Sequence, residues 1–347
     1  MKLETALSYD DISIRPKRSS VESRSDVSLE STLIRDITIN NPIISAPMDT
    51  VTESNMAQAM HNAGAVGIIH RYLSIDEQVH EIEKVDGIVG TTIGINDDWE
   101  ERLHKTVEAG ADFVCVDVAH GHMDRAIDVV QESTNITDVP IMAGNVSTGQ
   151  GARDLAIAGA EAIKVGVGPG SHCLTREVAG VGVPQVTAIN ECYEAIRLAK
   201  MTNQITHDVS IVADGGIQKP GDMIKALLLG ADTVMVGGLL GGCDESPAEF
   251  VKTNNGEIYK RTHGMASGEA REENGISTKE AIEGDSGLIE YTGPAENVVH
   301  ELSAGSRSGL SYIGAHNLTE GKERVEFVRI TPSVTVRNGT HGVLNND

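Results

Sequence analysis

The strongest constraint on this chain is a repeat of form. Eight apolar, β-branched runs of strand length, at 42–47, 65–70, 89–95, 113–119, 139–146, 162–168, 210–216 and 233–238, alternate with segments of helical periodicity. The helical segments include 53–62, 75–85, 99–108, 151–158 and 221–229, the last opened by Pro220, a residue suited to a first helical position. Gly64, Gly110, Gly159 and Gly230 each precede an alanine and the next apolar run, where glycine can supply a left-handed helix stop. Eight unbroken units predict an α/β fold, a closed (β/α)8 barrel spanning 1–347 as one domain. The length of 347 residues is long for an ordinary domain and normal for such a barrel.

In a barrel of this kind the chemistry belongs at the C-terminal ends of the strands. The polar and glycine-rich residues of the sequence fall there. Met48, Asp49 and Thr50 follow the first run, Asp117, His120 and His122 the fourth, and Asn145 the fifth. A loop of small residues from Gly166 to Cys173 follows the sixth, Asp214, Gly215 and Gly216 the seventh, and Gly237 and Gly238 the eighth. Two Gly-Gly turns on adjacent strands let bare backbone N–H groups converge on an anion, which makes them a candidate phosphate site. The glycines at 166–171 lack dinucleotide-fingerprint spacing and follow a sixth strand rather than a first, which argues against a Rossmann reading.

Cys173 stands out among four cysteines. Cys115 lies in an apolar strand and Cys192 in a helical segment, as small buried hydrophobes do, whereas Cys173 ends a glycine-rich loop where a ligand can reach both sulfur and main chain. No Cys-x-x-Cys pair is present, which argues for free thiols rather than disulfides or structural zinc. His120 and His122 alternate along an extended segment and so point to opposite sides, which favours a substrate-orienting or structural role over a catalytic metal. The acidic stretch 271–275 reads as a solvated loop, and its place after the last strand also suits a lid over the site, about 264–290.

Charge and hydropathy narrow the partners. The formal net charge of −23 repels polyanions and argues against nucleic acid. With few lysines and 3% aromatics, it suggests a host with a salt-rich cytoplasm, a halophile, in which dense carboxylates are screened. No apolar run approaches the roughly 18 residues of a membrane span, and the N-terminus lacks the apolar core of a signal peptide, so a cytoplasmic protein without membrane association is expected.

Taken together, Gly168 to Arg176, Gly180 to Gln185, Ala213 to Gly216, Met235 to Gly238 and His263 to Met265 resemble the IMP dehydrogenase/GMP reductase family, from Tyr9–Asp11 to about Pro332. That resemblance implies Cys173 as nucleophile, with Thr175 and Glu283 in proton transfer. It places a purine mononucleotide, GMP or IMP, at Ser171, Asp214, Gly215, Gly216, Gly237, Gly238, Gly264 and Met265. Ser171, Gly216, Gly237 and Gly238 take its phosphate and Asp214 its ribose. A nicotinamide cofactor, NADPH with NADH or NAD as alternatives, falls to Asp117, Ala119, Ser267 and Gly284. Carbonyls of Gly168, Gly170 and Cys173 are implied as a monovalent cation site for potassium, and the assembly as a homotetramer.

Within the family the resemblance leans toward GMP reductase. Between Ile69 and Gly87 there is no room for the CBS modules that many dehydrogenases insert, and 333–347 is a C-terminal tail. Dehydrogenases activate water with an Arg-Tyr pair in the lid. The corresponding residues 268–282 contain Arg271 and no tyrosine. Other positions lean the other way: 47–53 and 175–178 read like a dehydrogenase, and Lys279, Glu280 and Asp285 replace lid residues with which reductases hold NADPH. Thr262 stands where dehydrogenases carry a phosphate-binding tyrosine. An IMP dehydrogenase without CBS modules, and a nucleotide-binding barrel without chemistry, are the alternative readings.

Overall fold

The structure, a computed structural model, describes residues 3–273, 281–331 and 334. Asn274, Gly275, Lys279 and Glu280, singled out in the sequence, lie outside the described residues, as does the tail 333–347 apart from Val334.

Eight parallel strands close into a barrel in sequence order: β1 (Ile43–Ser45), β2 (Val66–Ile69), β3 (Val89–Ile93), β4 (Phe113–Asp117), β5 (Ile141–Val146), β6 (Ala162–Val165), β7 (Ser210–Asp214) and β8 (Thr233–Val236). Around them run α1 (Ser54–Asn62), α2 (Ile75–Glu83), α3 (Trp99–Glu108), α4 (Asp124–Ile136), α5 (Gly149–Ile157), α6 (Gln185–Met201), α7 (Pro220–Leu228) and α8 (Ala295–Ile313). The expected (β/α)8 barrel, a TIM barrel, is therefore the observed fold. Gly64, Gly110, Gly159 and Gly230 all take positive φ at the helix-to-strand junctions, as the sequence predicts.

Two-residue periodicity sorts each strand into two environments. On β6, Ile163 and Val165 face the helices, while Ala162 joins Ile44, Val66, Ile68, Phe113, Cys115, Met142, Val212 and Met235 inside the barrel. The N-terminal mouth is plugged by a hairpin of Ser31–Ile34 on Ile37–Ile39, whose Leu33 and Ile34 belong to the same interior cluster. A sheet of β9 (Glu249–Lys252), β10 (Ile258–His263) and β11 (Ser286–Glu290) adjoins the opposite mouth. Ile12–Ile14 pairs antiparallel with Phe327–Arg329, joining the two ends of the described chain.

Apart from β5, which reaches Val146 as expected, the observed strands are shorter than the apolar runs at their C-terminal ends. β6 stops at Val165 rather than at 168 and β7 at Asp214 rather than at 216, because glycines there leave the ladder to form the site loops. The plug hairpin was not expected from the sequence. Its turn uses Arg35 at φ 47, where a turn signal is ordinarily Gly or Asn, and the Arg35 side chain is held by Glu161 and by the Asp138 carbonyl.

Two glycines make opposite predictions. A methyl on Gly67 of β2 would lie 2.6 Å from the Ala57 Cα of α1, so Gly67→Ala lowers stability by about 1–3 kcal/mol through overpacking against backbone. Gly221 in α7 faces open space, and Gly221→Ala raises stability by about 0.5–1 kcal/mol through helix entropy. Chemical denaturation of both variants beside the wild type checks the pair.

Candidate active site

The barrel interior changes character toward its C-terminal end. Lys164 of β6 is 3% exposed, and its Nζ donates to the Asp117 carboxylate of β4 at 2.7 Å and to the Asp214 carboxylate of β7 at 3.1 Å. Burial opposes the ammonium charge, but the two carboxylates outweigh it, and the Lys164 pKa is raised. Gly144 of β5 leaves the room, since a Cβ there would fall 2.4 Å from the Lys164 Cβ. Asn145 Nδ2 donates to Asp214 Oδ2, the oxygen that also takes the Lys164 ammonium, at 2.8 Å and to the Gly166 carbonyl at 2.8 Å. Gln185 Nε2 donates to the Val165 and Asp214 carbonyls, pinning the ends of β6 and β7.

Above this layer opens a cavity of about 730 Å³, within the size range of small-molecule sites. The sequence-predicted residues Cys173, Thr175, Glu283, Ser171, Asp214, Gly215, Gly216, Gly237, Gly238, Gly264, Met265, Asp117, Ala119, Gly284, Gly168 and Gly170 all line it. Ser267 does not. It is 2% exposed, and its hydroxyl accepts the Ala270 N–H behind the wall.

On the side expected to take an anion, Gly215 (φ 92) and Gly216 (φ 80) take conformations that favour glycine. A Cβ on Gly238 would fall 2.8 Å from the Ser171 hydroxyl, which shows how closely that hydroxyl approaches the second Gly-Gly turn. The expected phosphate ligands thus converge from three loops. Of the carbonyls expected to face a monovalent cation, that of Gly170 already accepts the Cys173 N–H at 3.1 Å.

Cys173 is a free, half-buried thiol that donates to Thr175 Oγ1 at 3.3 Å. Its backbone forms an antiparallel bridge with Gly284, Leu174 N donates to the Glu283 carbonyl at 2.7 Å, and Asp285 N donates to the His172 carbonyl at 2.9 Å. Glu283, 110 positions away in sequence, is therefore placed beside the thiol and its threonine. The other cysteines are inert by burial, which pushes Cys192 up to about 12 and Cys243 up to about 11.

Two features escaped sequence reasoning, and a third was read without its partner. Arg71 and Tyr72, after β2, line the cavity with the guanidinium 4.8 Å from the tyrosine ring centre, a cation–π pair whose only sequence signal was its place at a strand end. Lys164 sat unnoticed inside an apolar run. Thr262, 1% exposed, is the partner of His172 Nε2 at 2.9 Å and does not line the cavity. Burial lowers the His172 pKa, the Asp285 charge opposing and that of His263 adding to the effect. His122 pairs with Asp154 at 3.0 Å while His120 is exposed, a structural arrangement for the former. No group of three metal-ligating side chains occurs among the described residues.

Removing the shared ammonium leaves two carboxylates facing each other, so Lys164→Met costs about 3–5 kcal/mol of stability at neutral pH. A raised folded pKa stabilises fully below the unfolded lysine value of about 10.4 and is lost as pH rises through the folded value. The wild-type advantage over Lys164→Met therefore persists to about pH 10 and narrows above it, as denaturation at a series of pH values measures.

Comparison with known proteins agrees with this geometry. Residues 6–341 match the sequence profile of the IMP dehydrogenase / GMP reductase domain. The inosine-5'-monophosphate dehydrogenase of Borreliella burgdorferi is 36% identical, with 98% of each chain covered. That of Nitrosopumilus maritimus is 32% identical over 483 aligned positions, covering 99% of this chain and 100% of the relative. Among solved structures, GMP reductase from Trypanosoma brucei in complex with guanosine 5'-monophosphate superposes with a TM-score of 0.90 at 29% identity, covering 99% of both chains. With cavity, thiol loop and glycine turns in the expected places, the chain belongs to the IMP dehydrogenase/GMP reductase family, oxidoreductases that act on purine nucleotides.

Proposed function

We propose that this protein is a GMP reductase, converting GMP to IMP and ammonia at the expense of a reduced nicotinamide dinucleotide. The observation that carries the reading is the company of the thiol. Thr175 lies at hydrogen-bond distance from Cys173, Glu283 is fastened to the next residue, and 268–282 supplies no tyrosine to work with Arg271 on water. The GMP complex of the Trypanosoma brucei relative supports a mononucleotide in this cavity.

In this mechanism Ser171, Gly216, Gly237 and Gly238 hold the GMP phosphate and Asp214, oriented by Lys164 and Asn145, the ribose hydroxyls. The Cys173 thiolate attacks carbon 2 of the purine. A carbon–sulfur bond forms, the exocyclic amine takes a proton by way of Thr175 and Glu283, and its carbon–nitrogen bond breaks to release ammonia. A reduced nicotinamide dinucleotide held in the rest of the cavity would supply the hydride that carbon 2 takes. Departure of the thiolate then frees IMP. The remaining cavity fits a nicotinamide carboxamide, which must both donate and accept. The Asp117 carboxylate lines it, and so does Arg71, whose buried Nε has no partner among the described residues. We place Gly284 and Ala119 along the same side, and 264–290 as the lid.

The dehydrogenase names of the relatives at 32–36% identity favour a second reading, conversion of IMP to XMP. Absorbance assays in potassium-rich buffer separate the two, with GMP plus NADPH or NADH in one cuvette and IMP plus NAD in the other. Rapid oxidation of the reduced cofactor with GMP alone is expected; multi-turnover conversion of IMP to XMP overturns the assignment.

Two variants test the roles. Cys173→Ala loses turnover by several orders of magnitude and still binds nucleotide, because phosphate and ribose contacts lie elsewhere. Glu283→Gln slows GMP turnover about 100-fold, while a single-turnover burst of reduced cofactor from IMP plus NAD survives, since that hydride step needs no proton for ammonia.

A further inference from the structure

A buried cation outside the reaction chemistry connects the small sheet to the phosphate turn. Lys260 of β10 is 0% exposed, with the charges of Asp244 and Glu245 near it. Its Nζ instead donates to the carbonyls of Cys243 at 2.6 Å and Ser246 at 2.8 Å and to the Ser246 hydroxyl at 3.3 Å, and sits 4.5 Å from the Phe250 ring centre. Burial lowers the Lys260 pKa, with the charges around it opposing. Oxygens on several sides and an aromatic face form a cage such as a monovalent cation takes.

The cage closes the far side of the anion site. Gly237 and Gly238 run directly into the single helical turn Gly238–Gly241, and the chain then enters the segment 243–248 that Lys260 grips. The Ser246 hydroxyl donates to the Gly241 carbonyl at 2.8 Å, so the cage and the end of the helical turn share a side chain. Gly241 is packed in turn against β10 and β11, where a Cβ would fall 2.9 Å from Thr262 Cγ2 and from Ile289 Cδ1.

We infer that Lys260 is a positioning residue for the phosphate subsite, its ammonium acting as a tethered cation that fixes the Gly237–Gly238 turn from behind. The inference rests on the reading of that turn as a phosphate ligand and deepens it. It does not depend on the direction of the reaction.

The test is equilibrium binding of GMP and IMP beside guanosine and inosine, which lack the phosphate. Lys260→Met weakens GMP and IMP at least tenfold and leaves the nucleosides within twofold. Ser246→Ala, which keeps the ammonium and removes one cage oxygen, weakens the nucleotides about threefold by the same pattern. In Lys260→Ala, propylammonium in the buffer restores nucleotide affinity, whereas tetramethylammonium, which cannot donate, does not. Wild-type-like GMP affinity in Lys260→Met, equal loss of nucleotide and nucleoside, or no rescue by propylammonium overturns the inference. If Lys260→Met does not fold, Ser246→Ala decides: unchanged nucleotide affinity there sinks the idea. A wild type that binds nucleosides as tightly as nucleotides overturns the phosphate reading itself, and the inference with it.

Discussion

One ammonium inside the barrel organises both halves of the site. Lys164 occupies an inward position of β6 between carboxylates on β4 and β7, and its 3% exposure leaves it no other partner of comparable strength. Replacing a buried pair by apolar groups often costs nothing, whereas breaking one member leaves an uncompensated charge. The three residues must therefore be present together or absent together. The demands spread outward: position 144 must be glycine to admit the lysine, and Asn145 and Gln185 finish the polar accounting around Asp214 and its backbone. The Asp214 wall and the Asp117 wall of the cavity are thus parts of one electrostatic unit.

Most of the architecture was legible because alternation of strand and helix is written in local residue choice. The helix-stopping glycines are plain examples, since positive φ at Gly64, Gly110, Gly159 and Gly230 has a direct sequence signature. The site was legible for a related reason: glycine-rich strand ends and a cysteine among small polar neighbours have few other uses. What stayed hidden were long-range pairings. Lys164 reads as an ordinary interruption of an apolar run until β4 and β7 close around it. Thr262 reads as a missing phosphate ligand until His172 is found on it at 2.9 Å. The Arg35 turn breaks the usual glycine rule because partners 103 and 126 residues away hold the side chain.

The charge distribution follows the same division between local and long-range. The net charge of −23 belongs to side chains in water, where mobile ions damp repulsion. Lys164 and Lys260 are instead beyond the reach of such ions. The first is neutralised by carboxylates and the second solvated by carbonyls and a hydroxyl. Salt in the medium can therefore alter the stability of the acidic surface while leaving the electrostatics of the interior nearly unchanged.

The segment that follows β10 begins and ends at one point. Ser267 N donates to Gly264, and the N–H groups of Glu283 and Gly284 both reach the Ala266 carbonyl, while Gly284 also pairs with Cys173. The two ends of the intervening stretch are thus fastened together and to Cys173. Closure entropy rises only slowly with length, so what lies between two ends fastened in this way can be lengthened, shortened or rewritten with little effect on the barrel beneath. The fold thus behaves as a chassis with an exchangeable cartridge. Divergence confined to that cartridge can change what the chain lays over the Cys173 thiol while the barrel, its glycine turns and its buried lysine stay as they are.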